Sequence, residues 1–141
     1  MNRLVRGLTK NRAETHPDAD DRRLRGRTYA IPFDRVWRAA LALADGGLSR
    51  WSVVEADDEE GTIHAESATL VFRFVDDVHI EIGLDENAQT RVDVRASSRV
   101  GKADLGRNPR TIGRFLKRMD RALDARPEEI LAAAPPPTRS R

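Results

Sequence analysis

The chain has 141 residues, a net charge of +2 and 39% hydrophobic residues, enough for one two-layer core once the ends are set aside. It has no cysteine, which excludes disulfide frameworks, thiolate metal sites and a cysteine nucleophile. No run of about 18 apolar residues is present, and the charged start MNRLVRGLTKNR lacks an apolar h-region, so a soluble cytoplasmic protein without a transmembrane segment is expected.

Residues 1–27 lack apolar periodicity and are expected to form an irregular N-terminal arm. TYAIP (28–32) has strand composition and stops at Pro32. FDRVWRAALALADGG then places Val36, Trp37, Ala40, Leu41 and Leu43 or Ala44 at helical spacing, with Asp34 in the first turn and Gly46-Gly47 as the stop. WSVVEA, TIHAESATLVFRF, VHIEIGL and TRVDVRASS read as four successive strands joined by Asp57–Gly61, Asp76-Asp77 and DENAQ, a meander. The last element is a helix with Asn108 as N-cap, Pro109 behind it and Ile112, Phe115, Leu116, Met119 and Leu123 on one face. Residues 127–141 are expected as a short helical turn and a disordered Pro-rich tail. The fold class is therefore α+β, a single domain over 28–126 in the order β-α-β-β-β-β-α, with an antiparallel sheet and both helices on one face. The first strand is expected to pair with the last strand of the meander.

Register follows from the apolar pattern. Leu84 opposite Thr90 sets Ile82 across from Val92, Ile80 from Val94 and Val78 from Ala96, which leaves His79, Glu81, Arg91, Asp93 and Arg95 as a charged ladder on the other face. For the preceding hairpin, a tight Asp76-Asp77 turn would set Phe74 opposite His79 and Phe72 opposite Glu81. A longer connection would set Phe72 and Phe74 beside Ile82 and Ile80 and is favoured. The tight turn would make both faces apolar and call for a partner subunit, a homodimer being the candidate.

Charge is divided along the chain. Residues 1–27 carry eight basic and four acidic side chains, residues 110–141 the same, and residues 28–109 nine and fifteen. The basic residues are interspersed with Asp and Glu and no aromatic is placed among them for base stacking, which argues against nucleic acid. Asp57-Asp58-Glu59-Glu60 lacks the ligand spacing of a calcium loop and reads as a solvated turn. His64 and His79 on adjacent strands, with Glu66 or Glu81, could ligate a metal, but paired strand histidines are more often just that, and neither a metal nor a cofactor is expected. Ser97 and Ser98 have no nucleophile motif around them, and the basic face of the last helix reads as a solvated face.

The segment SSRVGKADLGRNPRTI (97–112) is the densest candidate site. Gly101 and Gly106 let the chain turn, Asp104 accepts backbone N–H groups or pairs with Arg99, for which Asp77 is the other candidate carboxylate, and Asn108 opens the helix, which together describe a strand-to-helix joint. The competing reading takes Arg99, Lys102, Arg107 and Arg110 beside the helix N-terminus as a site for a small anionic ligand.

This segment, with F-V-D-D-V upstream, resembles the hallmark of a widespread family of uncharacterised bacterial and plant proteins, a domain of unknown function. The likeness covers roughly residues 28–123 and places the motif on Asp77, Ser98, Arg99, Gly101, Asp104, Gly106, Asn108 and Ile112. Thr111 stands where many members have Arg, with Arg110 one place earlier, and the Cys-Pro start of many members is absent, so the arm inherits nothing from the resemblance. The resemblance implies membership and carries no activity, cofactor or catalytic residue. A weaker architectural likeness is to reduced helix-grip folds.

The expectation is a non-catalytic α+β binding or interaction module whose motif loop at 97–110 fixes the last helix. The alternative is a small-ligand enzyme or apolar-ligand carrier with a cavity between sheet and helices, with Asp77, Asp104 and His79 as its acid–base groups.

Overall fold

Four alternating segments make a meander: β4 (Trp51–Asp57), β5 (Thr62–Ala68), β6 (Val75–Leu84) and β7 (Thr90–Ser98). The computed structural model describes residues 8–9, 12–70, 74–99 and 107–132. β6 and β7 pair with Leu84 opposite Thr90, Ile82 opposite Val92, Ile80 opposite Val94 and Val78 opposite Ala96, the register the apolar pattern demands. The intervening turn is closed by the Asp85 carboxylate, which accepts from the N–H groups of Asn87 and Gln89.

The β5–β6 hairpin corrects the expectation. Asp76 and Asp77 lie inside β6, opposite Ser67 and Glu66, and Ile63 and Ala65 stand opposite Ile80 and Val78. Strand alternation explains the result: Asp76, Val78, Ile80 and Ile82 point inward and are buried, while Asp77, His79 and Glu81 point outward. Phe74 is 40% exposed in the connection, and Phe72 lies outside the described residues. Among the described residues the outer face of the sheet is polar and supplies no apolar second face of the kind that called for a partner subunit.

All strand pairs are antiparallel, and with β1 at Leu8–Thr9 and β2 at Arg12–Glu14 the order is β1-β2-β7-β6-β5-β4. β1 and β2 come from the arm expected to be irregular, and β3 (Arg27–Tyr29) pairs with β7 as anticipated. β2 covers Arg95–Ser97 and β3 covers Thr90–Val92, so one edge of β7 is shared by two short strands running in the same direction. Thr15 carries the ladder between them: its N–H donates to the Val94 carbonyl at 2.8 Å and its Oγ1 accepts from the Val94 N–H at 2.9 Å. The chain then leaves the sheet, makes a short 3-10 turn at Arg22–Leu24 capped by Asp21, and returns through Gly26 at φ +74, where a Cβ would overlap Arg91. β8 (Ile130–Leu131) adds to β3 beyond a single 3-10 turn at Pro127–Glu129.

Helix α1 (Phe33–Ala42) continues into a wide turn at Leu43–Gly47, and α2 spans Arg107–Ala122. Both lie on the inner face of the sheet. The space between is filled by side chains: Ile63, Val78, Ile80, Val92, Ile112, Phe115, Leu116 and Met119 are each at most 1% exposed. Phe115 stacks on Trp51 of β4, centroids 5.6 Å apart and planes at 11°, tying the last helix to the far strand. No described helix is long and apolar enough to cross a membrane.

Candidate functional site

The adjacent carboxylates of β6 point to opposite faces of the sheet, and each meets an arginine from the segment 97–112. Asp76 faces inward, is 2% exposed, and is held by Arg107 at the start of α2 through Nε to Oδ2 at 3.0 Å and Nη2 to Oδ1 at 2.8 Å. Arg107 also donates to Ser98 Oγ at 2.9 Å, and Asn108 Nδ2 donates to the same oxygen at 3.1 Å. Phe74 lies under the guanidinium, 5.9 Å from its centre. Ser98 is thus an acceptor for Arg107 and Asn108 in a buried cluster, with no imidazole among its partners in the described residues.

Asp77 faces outward. Arg99 grips it through Nε to Oδ2 at 3.0 Å and Nη2 to Oδ1 at 2.9 Å, and also donates to Glu66, which stands directly opposite Asp77 on β5. One guanidinium therefore bridges two carboxylates that would otherwise repel across the strands. His64 Nε2 donates to Asp77 Oδ1 at 2.9 Å, and its ring lies parallel to His79, centroids 4.4 Å apart and planes at 12°. The Arg99 hydrogen bonds hold the Asp77 carboxyl down at about 2, and burial, followed by the charges of Arg95 and His64, lowers the His79 imidazole from its ordinary 6.5. With Asp77 anionic, the Nε2 of His64 is the nitrogen that donates.

Both shifts have one sign. A group whose folded pKa lies below its unfolded one binds fewer protons when folded, so its stabilisation is present above the unfolded value and is lost as pH falls through the folded one. Urea midpoints are expected to fall as pH drops below 6.5, through His79, and again between 3.8 and about 2, through Asp77. Asp77→Asn should flatten the lower step and leave the upper one. An unchanged acid limb in that variant would remove the Arg99 grip as its cause.

Of the motif positions, Asp77, Ser98, Arg99 and Asn108 are brought together at the β6–β7–α2 junction, on its two faces. Gly101, Lys102, Asp104 and Gly106 lie outside the described residues. α2 is described from Arg107, one residue ahead of the expected cap, and Asn108 is buried against Ser98. His64 joins Asp77 and His79 because Ala65 pairs with Val78, a register the expected strand boundaries conceal. Above these rings lies a shallow basin of about 560 Å³ whose lining includes Glu14, His16, Glu55, Glu81, Asp93 and Arg95. Among the described residues no group of three or more His, Asp or Glu side chains is placed to hold a metal ion.

The second concavity was not foreseen. It is a groove of about 960 Å³ between the outer face of α2 and the excursion before β3. One wall carries Arg22, Arg23 and Arg27. The other carries Arg110, Arg114, Lys117, Arg118 and Arg121, and among the described residues no carboxylate belongs to the lining. Arg27 is held by Asp120 at 3.1 Å, which also accepts from the buried Tyr29 hydroxyl at 2.5 Å; burial and that bond raise the phenol's pKa. Arg23 is fixed to Asp21 at 2.7 Å, and its stem passes so close to Gly113 that a Cβ there would sit 3.1 Å away. Arg22, Arg114, Lys117, Arg118 and Arg121 make no ion pair among the described residues.

A family model described as "Protein of unknown function (DUF1499)" matches residues 8–119, from the first described strand nearly to the end of α2. The match takes in most of the arm from which the resemblance carried nothing over, and that arm completes the edge of β7. No curated protein matches the chain.

Proposed function

The chain belongs to the DUF1499 family, whose description assigns no activity, and from that premise we propose that it is a non-catalytic binding module that takes a multivalent anion in the basic groove along α2. The carrying observation is the lining: eight arginine and lysine side chains face one concavity, with no carboxylate among its described lining residues. Two of the four donors of the competing anion site on the motif loop are engaged elsewhere, Arg99 on Asp77 and Glu66, and Arg107 on Asp76 and Ser98, while Arg110 lines the groove and Lys102 lies outside the described residues. The motif at 97–110 then serves as a joint: Arg99 and Arg107 lock the last strand and the last helix onto β6. In this reading the protein works in the cytoplasm as a reader of anionic ligands.

The test is a titration of the full chain with tripolyphosphate at two salt concentrations. Binding should weaken with salt, and Arg114→Glu combined with Lys117→Glu, both exposed and outside the core, should weaken it by about tenfold or more. Equal binding by the double variant removes the groove.

A second reading, a small-ligand enzyme, is favoured by one arrangement: an imidazole oriented by Asp77 and stacked on His79 beside an open basin. It predicts turnover of some ester, phosphoester or glycoside in a substrate panel, abolished by His64→Gln. A panel without turnover leaves the module.

A further inference from the structure

Resting on the groove as the ligand site, we infer that its ligand is a linear inorganic polyphosphate, a chain of anhydride-linked phosphates laid along α2. Arg110, Arg114, Lys117 and Arg121 follow one another at intervals of three and four residues, which places them in one stripe of the helix. At about 1.5 Å per residue that stripe runs about 16 Å. A lone phosphate reaches one rung of it; a chain reaches them all. Guanidinium forks take pairs of oxygens, so successive arginines suit successive phosphates.

The rest of the lining decides against a ligand with other chemistry. Beyond its cations the described lining of the groove offers Gly113 and Leu116, with no aromatic ring among the described residues on which a base could stack and no amide or hydroxyl side chain to read a sugar or base edge. A nucleotide or oligonucleotide would bring groups that find no partner. A bare phosphate chain brings nothing but charge along its whole length. The walls are held for it in advance, since Arg27 is fixed by Asp120, Arg23 by Asp21, and the missing side chain at Gly113 lets the Arg23 stem lie against α2.

The full chain should be titrated at about 0.15 M salt with tripolyphosphate, with linear polyphosphate long enough to span the stripe, and with oligothymidylate of equal formal charge. The spanning chain is expected to bind about tenfold or more tighter than tripolyphosphate and about tenfold or more tighter than oligothymidylate, with the steepest salt dependence of the three. Arg121→Ala, at the far end of the stripe, should cost the spanning chain several-fold and tripolyphosphate less. If tripolyphosphate and the spanning chain bind alike, the groove keeps its anion and the chain inference is overturned. If oligothymidylate binds as tightly as polyphosphate, the ligand is a nucleic-acid backbone instead. If none of the three binds, the groove reading itself falls.

Discussion

Arg107→Ala is expected to destabilise the fold by about 3–5 kcal/mol, because it strands the Asp76 carboxylate in the interior. Asp76 is 2% exposed, and its ionised oxygens are held by the Arg107 guanidinium at 2.8 and 3.0 Å. Among the described residues no other cation reaches Asp76 to replace two charge-assisted bonds, and Ser98 Oγ loses a donor at the same time. Arg99→Ala removes the same bidentate geometry from Asp77 on the outer face, where Arg99 is half exposed and water can take over, so its loss should be much smaller. Replacing the inner pair together, Asp76→Leu with Arg107→Met, should recover much of the stability lost by the single variant. Urea unfolding of the three variants decides the matter. An Arg107→Ala midpoint no lower than that of Arg99→Ala would contradict the inner clamp.

Phe115→Ala is the other large effect, about 3–5 kcal/mol. Phe115 is fully buried and stacks on Trp51, so its removal opens a void between α2 and β4 and costs the aromatic pair as well. Its ring is what anchors the middle of α2, and the groove stands on the other side of that helix. A midpoint loss accompanied by weaker anion binding in the fraction that stays folded is the expected result. A near-neutral substitution would mean that the helix is held by its ends alone.

The parts of this fold that were legible in the sequence are those fixed by local pattern. The β6–β7 register follows from alternation of Val78, Ile80 and Ile82 against Val92, Val94 and Ala96, across a turn that an Asp carboxylate closes. The inner stripe of α2 follows from Ile112, Phe115, Leu116 and Met119 in the same way. Asp76-Asp77 was not legible. Two adjacent aspartates look like a turn, and the reason one of them can be buried in a strand is an arginine 31 residues away. The Arg99 partner was half legible, since Asp77 and Asp104 were the candidate carboxylates and Asp77 holds it.

The groove was hidden for a related reason. On its own, the outer face of α2 is a charged helix face of the ordinary solvated kind. Its second wall comes from Arg22–Arg27, in an arm whose sequence has no periodicity to announce that it returns to the sheet and packs on Gly113. A partner that far away in the chain has no local signature.

The division of labour between motif and groove is tested most directly by one side-by-side titration with tripolyphosphate, using Arg99→Ala and Arg114→Ala, with the folded fraction of each followed by circular dichroism. Arg99 sits on the outer face of the sheet in the Asp77–Glu66 bridge, and Arg114 on the wall of the groove. The account predicts that Arg99→Ala binds the anion as the parent chain does while Arg114→Ala binds several-fold more weakly. The reverse order, with Arg99→Ala folded and unable to bind, would contradict it and return the site to the motif.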